Sequence, residues 1–407
     1  WPISIFDGIR NPGNEEINYY YPTSDLVTAP DIIFFWVARM IMAGYEYCDK
    51  MPFKNVYFTG IVRDKLGRKM SKSLGNSPDP LVLIEKYGAD GVRMGMMLSA
   101  PAGNDILFDE ALCEQGRNFN NKIWNALRLI KGWQVVDCEQ SECNKLSIQW
   151  FEEKLKQTIV EINDDFSKYR ISDALMLVYK LFWDEFSAWY LEMIKPAYQQ
   201  PIDKVTYEKT IEFFEILMQL LHPFMPFITE EIWHILKDRT EDDCIMISQL
   251  PNVDGFNGFI ISDINIVKEI IVGIRTIRKE KNIPFKDAIT LDVKGNHNDL
   301  YNSMIIKMGN ISNIEKGEVS GISMSYMVGT SEYSVVLNEN IDVEAEVKKI
   351  EAEIEYLKGF LASVMKKLNN EKFVANAKPE IVEMERKKQA DAESKIKSLT
   401  ENLNKLK

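Results

Sequence analysis

The sequence has few of the residues that build disulfide frameworks or zinc sites. Its five cysteines are spread over 407 residues, and no two of them form a Cys-x-x-Cys pair. A disulfide framework or a zinc ribbon needs closely spaced pairs, so neither is encoded. Scattered free cysteines are typical of a reducing compartment. We therefore predict a cytoplasmic protein with no zinc and no other metal site.

Histidines and long apolar runs are also scarce. Of the three histidines, His222 and His234 lie in helical apolar surroundings, and we assign them no chemistry. A membrane helix needs about 18 apolar residues in succession. Even the run from Ile32 to Met42 is interrupted by Arg39, so no membrane partner is expected. The chain starts at Trp1, inside an apolar segment, which we interpret as a piece of a longer polypeptide.

Excess positive charge is absent as well, because the formal net charge is −12. An acidic chain does not bind polyanions through its overall field. Residues 341–407 carry 14 Lys or Arg and 13 Asp or Glu, so this end alone is nearly neutral. Any contact with RNA must therefore be made by local patches. A length of 407 residues with 45% hydrophobic content predicts a protein of two to four domains.

One pentapeptide, Lys69-Met70-Ser71-Lys72-Ser73, carries the strongest chemical signal. It follows a β-type run at Val56–Gly60 and lies between Gly67 and Gly75. Two ammonium groups and two hydroxyls on a glycine-flanked loop suit the oxygens of a triphosphate. The alternative is a solvated basic loop. A given pentapeptide arises by chance in a chain of this length about once in ten thousand, which favours the phosphate-binding interpretation.

The preceding and following segments indicate the end of an α/β layer. Apolar residues recur at helical spacing from Asp31 to Tyr47, after a proline suited to the first turn, and predict a mostly buried helix. The recurring residues are Ile32, Phe35, Trp36, Met40 and Ala43. A strand at Asn55–Gly60 and two short helices at Pro78–Tyr87 and Ala89–Leu98 follow.

A helical bundle is predicted next, from apolar residues at every third or fourth position. Its four segments are Asp109–Trp133, about Lys145–Lys168, Ile171–Ile194 and Tyr207–Leu236, the last kinked near Pro223 and Pro226. Five aromatic residues crowd the stretch Leu181–Tyr190. We favour a place in the bundle core for them, and stacking on RNA bases is the alternative.

The residues that follow the bundle predict a small α+β module and then a pair of coiled-coil helices. In the module, Arg275, Arg278, Lys279 and Lys281 belong to one helix and are interpreted as its solvated face, with phosphate contact as the alternative. Heptads run from Val343 to Leu368 and resume at Ile396–Leu406. A break at Asn369–Pro379 predicts an antiparallel hairpin. The alternative is a coil that dimerises.

Three stretches carry a resemblance to a known family, namely Tyr21–Thr28 running into Asp31–Met40, the loop Gly67–Asn76, and Leu368–Val374. The loop resembles the second signature of class I aminoacyl-tRNA synthetases. Together the three resemble the C-terminal half of the bacterial valyl-tRNA synthetases. The resemblance implies a multidomain, mainly α protein in five parts. These are the end of a Rossmann-like α/β catalytic domain (1–77), a stem-contact or connecting region (78–108), an anticodon-binding helical bundle (109–250), a small α+β junction module (251–340) and an antiparallel coiled-coil arm that binds tRNA (341–407).

The family's reaction would follow from this resemblance. It implies that valine is activated with ATP and Mg²⁺ and then transferred to tRNA(Val), by a monomer. Lys72, assisted by Lys69, would stabilise the transferring phosphate as catalytic residues, and the whole stretch Lys69, Met70, Ser71, Lys72 and Ser73 would bind ATP. Ile32 and Trp36, one helical turn apart, would contact the valine side chain.

Two features of the family are absent from these residues. In the family, the His-Ile-Gly-His signature and the editing insertion lie upstream of this region, so the chain alone is expected to be inactive. One alternative is a piece of an isoleucyl-tRNA synthetase, disfavoured because no terminal Cys-rich zinc module is present. The other is a non-catalytic protein that binds tRNA or forms a coiled coil.

Overall fold

The computed structural model describes residue 11 and residues 13–100, 104–253, 255–317, 323–336, 343–369 and 379–406. The chain divides into two compact units. The first contains residues 1–139, 151–191 and 195–256, and the second contains residues 140–150, 192–194 and 257–407. The expected predominance of helix is confirmed. In the parts of the chain that the structure describes, no helix combines the length and apolarity needed to span a bilayer.

The first unit starts with a small α/β arrangement. Its elements are α1 (Glu15–Tyr20), β1 (Thr23–Thr28), α2 (Ala38–Cys48), β2 (Phe53–Phe58), β3 (Val62–Arg63), α3 (Pro80–Tyr87), α4 (Ala89–Leu98) and β4 (Ile106–Leu107). Strands β1 and β2 pair in parallel, from Thr23 opposite Phe53 to Thr28 opposite Phe58. Parallel neighbours need a crossover connection, and α2 lies in it. Strands β3 and β4 form a second, shorter parallel pair.

The prediction of a buried helical face after β1 was wrong. Ile32, Phe35 and Trp36 are 37%, 63% and 58% exposed. The helix does not begin with regular turns, since a 3₁₀ turn at Pro30–Ile32 leads into a π turn at Ile33–Val37. A π turn holds more residues than an α turn, so apolar residues at α spacing no longer share one face.

A helical bundle makes up the rest of the first unit. Its elements are α5 (Glu110–Lys131), β5 (Val135–Val136), α6 (Glu142–Ser167), α7 (Ile171–Lys180), a π-helical segment (Leu181–Tyr190), α8 (Leu191–Ile194), β6 (Ile202–Asp203), α9 (Lys204–Leu221) and α10 (Pro226–Leu236). The N-terminal part of α6 and most of α8 belong to the second unit. The predicted kink near the two prolines is a complete break between α9 and α10.

Three of the five aromatic residues of this stretch lie in the bundle core, as the sequence favoured, whereas Trp183 and Trp189 are half-buried. Phe182, Phe186 and Tyr190 are fully buried. Phe186 stacks on Tyr190, with 5.5 Å between ring centroids. The Tyr190 hydroxyl lies 2.9 Å from Thr210 Oγ1, so its one polar atom is satisfied inside the core. These three rings are therefore not available to stack on RNA bases.

The second unit is built on a four-stranded sheet. Its elements are α11 (Gly258–Glu280), β7 (Ile289–Lys294), α12 (Asn302–Gly309), β8 (Ile311–Lys316), β9 (Ser323–Val328), β10 (Ser331–Val336), α13 (Val343–Leu368) and α14 (Pro379–Leu406). The strand order is β8-β7-β10-β9, with β7 and β8 parallel and the other pairs antiparallel. A turn at Gly329, whose φ is +58°, connects β9 and β10.

The predicted solvated face of α11 holds an exception, Arg278. Its side chain is buried, with the residue 4% exposed. The guanidinium donates to the backbone carbonyls of Gly309 at 3.1 Å and Asn310 at 2.9 Å, and also to those of Pro284 and Asp287. Placing Arg278 on a solvated face was therefore wrong, because these carbonyls require a buried donor. The guanidinium is occupied within the unit and is not free for phosphate.

Both heptad segments are helical, as predicted. Ile350, Ile354 and Val364 are buried on α13, and Val382 and Ala392 are buried on α14, where the two helices pack together. Lys367 Nζ lies 3.5 Å from a carboxylate oxygen of Glu385. The predicted turn at 370–378 lies outside the described residues, as do most of the residues that carry the terminal part of the family resemblance.

Candidate functional site: the Lys69–Ser73 loop

The loop that carries the pentapeptide begins where β3 ends. Gly67, at φ +76°, makes a tight turn in which its amide donates to the Asp64 carbonyl at 2.9 Å. The chain then returns alongside the strand, with Lys69 bridged to Arg63. Positive φ is a conformation that glycine adopts without strain, so Gly67 allows the return. The pentapeptide is thereby held at the edge of β3.

A 3₁₀ turn follows, at Lys72–Leu74. Ser71 is its N-cap, since Ser71 Oγ accepts from the Ser73 amide at 3.2 Å, and the two hydroxyls lie 2.6 Å apart. Gly75, at φ +65°, ends the turn by donating to the Lys72 carbonyl at 3.2 Å. A serine N-cap and a left-handed glycine are the usual start and stop of a helical turn. Ser71 and Ser73 thus shape the turn on which Lys72 projects.

Asp64 is the hub of the loop. Its carboxylate accepts from the amides of Leu66 at 3.0 Å and Arg68 at 2.9 Å, from Arg68 Nε at 2.7 Å, and from Asn76 Nδ2 at 3.0 Å. The hydrogen bond from Asn76, with those from Arg68 and Leu66, lowers the pKa of Asp64 to about 2. Bonds to the charged form have this effect, so Asp64 is ionised at neutral pH.

Asn76 closes the loop from its far end. Besides donating to Asp64, its Nδ2 donates to the Lys69 carbonyl at 3.3 Å, and its Oδ1 accepts from the Ser71 amide at 2.9 Å. The amide therefore bonds both the beginning and the middle of the loop. Together, Asp64 and Asn76 fix the backbone on either side of Met70 and leave the lysine side chains projecting.

The cations around the loop fall into two groups. Arg63 pairs with Asp105, Arg68 with Asp64, and Lys65 Nζ lies 2.8 Å from Asp109 Oδ1. In contrast, no described acceptor lies within hydrogen-bond or ion-pair range of the ammonium of Lys69 or Lys72, and both residues are exposed. Of these five cations, the two in the pentapeptide are thus the ones open to an anionic ligand.

The two residues expected to contact an apolar substrate lie on a different segment. Ile32 is in the 3₁₀ turn after β1, and Trp36 is in the π turn that follows. Both are exposed, and no hydrogen bond, ion pair or ring contact among the described residues joins them to the loop. Since β1 and β2 are adjacent and parallel, the segment that follows β1 starts at the edge of the pair at which β2 also ends.

Comparison with known proteins gives the family. Residues 1–109 match the family described as tRNA synthetases class I (I, L, M and V), residues 149–293 match the anticodon-binding domain of tRNA ligase, and residues 342–407 match the valyl tRNA synthetase tRNA binding arm. The valine–tRNA ligase of Parabacteroides distasonis is 65% identical over 405 residues, which cover 99% of this chain and 46% of the relative. That of Phocaeicola vulgatus is 65% identical over 412 residues, covering 100% and 47%.

The chain belongs to the valyl-tRNA synthetase family. The resemblance predicted from three short stretches is thus confirmed along the whole chain. A more divergent member of the family, the valine–tRNA ligase of Fusobacterium nucleatum, is 38% identical over 425 residues. The chain spans about half the length of the curated relatives it matches.

The role of Asp64 in shaping the Lys69–Ser73 loop was not predicted from the sequence. A signal was present, since an aspartate at the start of a turn, here three residues before Gly67, commonly bonds the amides that follow it. What could not be read was its bond to Asn76, twelve residues along the chain. No metal-binding cluster of His, Cys, Asp and Glu occurs among the described residues.

Proposed function

We propose that the full-length protein is a valine–tRNA ligase. The observation that carries the proposal is 65% identity to enzymes of that name over 99% or more of this chain. In the reaction, a valine carboxylate oxygen attacks the α-phosphorus of ATP, and the bond to pyrophosphate breaks. A ribose hydroxyl of the terminal adenosine of tRNA(Val) then attacks the activated carbonyl, and AMP leaves.

Lys72 and Lys69 are proposed as the catalytic cations of this chain. Charge moves onto the β- and γ-phosphates as pyrophosphate leaves, and unpaired ammonium groups stabilise that charge more than they stabilise the ground state. The magnesium that accompanies ATP enters as part of the substrate. Ser71 and Ser73 hold the turn, and Met70 lies between the two lysines on the same binding loop.

Ile32 and Trp36 are proposed to contact the valine side chain. Both present apolar surface to solvent, and valine recognition needs apolar surface. Their neighbours Phe34 and Phe35 are 84% and 63% exposed. An exposed apolar area of this size commonly marks a surface that binds a ligand.

We also propose that the domains of this chain are arranged along the sequence as in the valyl-tRNA synthetases. We propose that residues 1–77 end a Rossmann-like catalytic domain, that 78–108 connect it, and that 109–250 form the anticodon-binding bundle. Residues 251–340 would be a junction module and 341–407 an antiparallel coiled-coil hairpin that contacts tRNA. The protein would act as a cytoplasmic monomer. The match at 342–407 supports the arm, and the match at 149–293 supports an anticodon-binding role for the bundle but also extends into residues 251–293.

Charging of tRNA by the full-length gene product tests the proposal. Purified protein is incubated with ATP, Mg²⁺, tRNA(Val) and radiolabelled valine, and with labelled isoleucine and tRNA(Ile) in a parallel reaction. We expect stable valyl-tRNA and no isoleucyl-tRNA. Preferential charging with isoleucine would establish the isoleucyl alternative, and absence of charging with either would support the non-catalytic one.

A further inference from the structure

The break between α9 and α10 leaves backbone groups that need partners. Helix α10 starts at Pro226, and the residue before it, Met225, has no side-chain acceptor for the first amides of the helix. The first amides of any helix lack partners inside it, and leaving them unbonded in a buried place is costly. The side chains that satisfy them come from another helix.

Asp90 of α4 supplies the missing cap. Its carboxylate accepts from the Ile228 amide at 2.7 Å and from the Phe227 amide at 3.3 Å. Asp90 is buried, at 5% exposure, so these bonds are made largely away from water. A carboxylate at a helix N-terminus also interacts favourably with the helix dipole. The N-terminus of α10 is therefore attached to α4.

Arg93, one turn further along α4, satisfies the opposite side of the break. Its Nε donates to the Phe224 carbonyl at 3.0 Å, and its second terminal nitrogen donates to the Pro223 carbonyl at 3.1 Å. Residues at i and i+3 share one face of a helix. One face of α4 thus presents an acceptor to the amides and a donor to the carbonyls of the same connection.

Helix α4 is also held against α5, through backbone contact. A Cβ on Gly95 would lie 2.7 Å from the Cys113 amide nitrogen, and one on Gly116 would lie 2.4 Å from the Gly91 carbonyl oxygen. At these distances no larger side chain fits without movement of the backbone. Close approach of two helices leaves little freedom for one to slide or rotate on the other.

Helix α4 also lies close in sequence to the loop Gly67–Asn76, which we call the signature loop. Asp79, three residues after Asn76, caps α3 by accepting from the Leu81 amide at 2.9 Å, and α4 follows α3 after Gly88. Helix α4 therefore connects the segment that carries Lys69 and Lys72 with two separate points of the bundle, α5 and the α9–α10 break.

We propose that Asp90 and Arg93 form an orienting joint, which fixes the bundle relative to the signature loop and is required for transfer to tRNA but not for activation of the amino acid. The inference rests on the proposed function. Valine and ATP react without tRNA, so the first step does not depend on where the bundle lies. Transfer requires the tRNA to reach the bundle and the active site at once, and small misplacements of a substrate cost large factors in rate.

Two assays on the full-length protein separate these steps. Valine-dependent exchange of pyrophosphate into ATP reports activation, and charging of tRNA(Val) reports transfer. For Asp90→Asn and for Arg93→Met, we expect kcat/KM for tRNA to fall by about tenfold or more, while the exchange rate stays within about twofold of wild type. The double variant should lose less than the product of the two single losses, because both side chains serve one joint.

The controls distinguish an orienting role from a merely structural one. If exchange and charging fall in the same proportion, or if neither falls, the joint is overturned. Arg93→Lys keeps the charge but lacks the planar fork that reaches both carbonyls, so it should reproduce the charging loss in part. This milder variant decides the question if Asp90→Asn does not fold. A wild-type protein that neither exchanges nor charges would instead refute the proposed function.

Discussion

At the scale of single residues, the charge on Asp64 determines the shape of the signature loop. The carboxylate receives hydrogen bonds from three residues, and its pKa is lowered to about 2. A group whose pKa is lowered by folding stabilises the folded state above its ordinary pKa, about 4 for aspartate. That contribution is lost as the pH falls from about 4 towards 2.

We predict that the loop loses its order in this acidic window. Carboxyl-carbon NMR of Asp64, with amide shifts of Leu66 and Arg68 as reporters, would follow the titration. The change Asn76→Ala removes the largest cause of the lowered pKa, so Asp64 should then titrate closer to 4. An Asp64 that titrates at the ordinary value in the wild-type chain would contradict the hub assignment.

Residue roles of this kind are the least readable from sequence. The pentapeptide was recognisable because its functional side chains belong to consecutive residues. Asp64 depends on Asn76, and Arg278 depends on carbonyls up to 32 residues away. A charged side chain on a helix surface and one buried against carbonyls look alike in sequence. Their difference comes from tertiary packing, which decides whether a charge is desolvated.

At the scale of elements, regular periodicity predicted most helices well. Helix α4 has the predicted bounds, and α5 differs from its predicted segment by one or two residues at each end. The failure came after β1, where a π turn changes the number of residues per turn. Periodicity assumes one fixed pitch, so apolar spacing gave the wrong face there. It also assumes a covering element, and no described element covers the side chain of Phe34, which is 84% exposed.

The pair α13 and α14 gives a prediction at this scale. A full-length protein truncated after residue 340 should bind tRNA(Val) more weakly, and the logarithm of its affinity should vary less steeply with salt. Each lost phosphate contact reduces that slope by about 0.7 to 0.9. Filter binding at several salt concentrations measures both quantities. Valine-dependent exchange serves as the control, because the first reaction does not involve tRNA.

If the truncated protein has an unchanged affinity for tRNA(Val) and an unchanged salt dependence, the arm does not bind tRNA. A weaker affinity with an unchanged slope would also count against it, since the arm would then act without contacting phosphates. The segment carries 14 Lys or Arg and 13 Asp or Glu, so its overall field is nearly neutral. Contacts with phosphate must therefore come from positive side chains grouped locally.

At the scale of the whole molecule, the chain combines matches to a class I synthetase region, an anticodon-binding domain and a tRNA-binding arm. The net charge of −12 does not conflict with this, since contact with RNA requires only local groups of positive side chains and not a positive overall field. The sequence was enough to predict the family, because three stretches, Tyr21–Met40, Gly67–Asn76 and Leu368–Val374, together carried the resemblance. It could not predict the two compact units, which depend on contacts distant in sequence.

The central claim is that the unpaired lysines of the signature loop act in valine activation. The most direct measurement is valine-dependent pyrophosphate exchange by the full-length protein, comparing Lys72→Ala with Lys65→Ala. Lys65 is a matched control in the same loop, but its ammonium is engaged by Asp109 in an exposed pair, and such pairs contribute little. We predict a loss of about 100-fold or more for Lys72→Ala, with intact folding, and a change of less than about threefold for Lys65→Ala. Equal rates for the two variants would contradict the account.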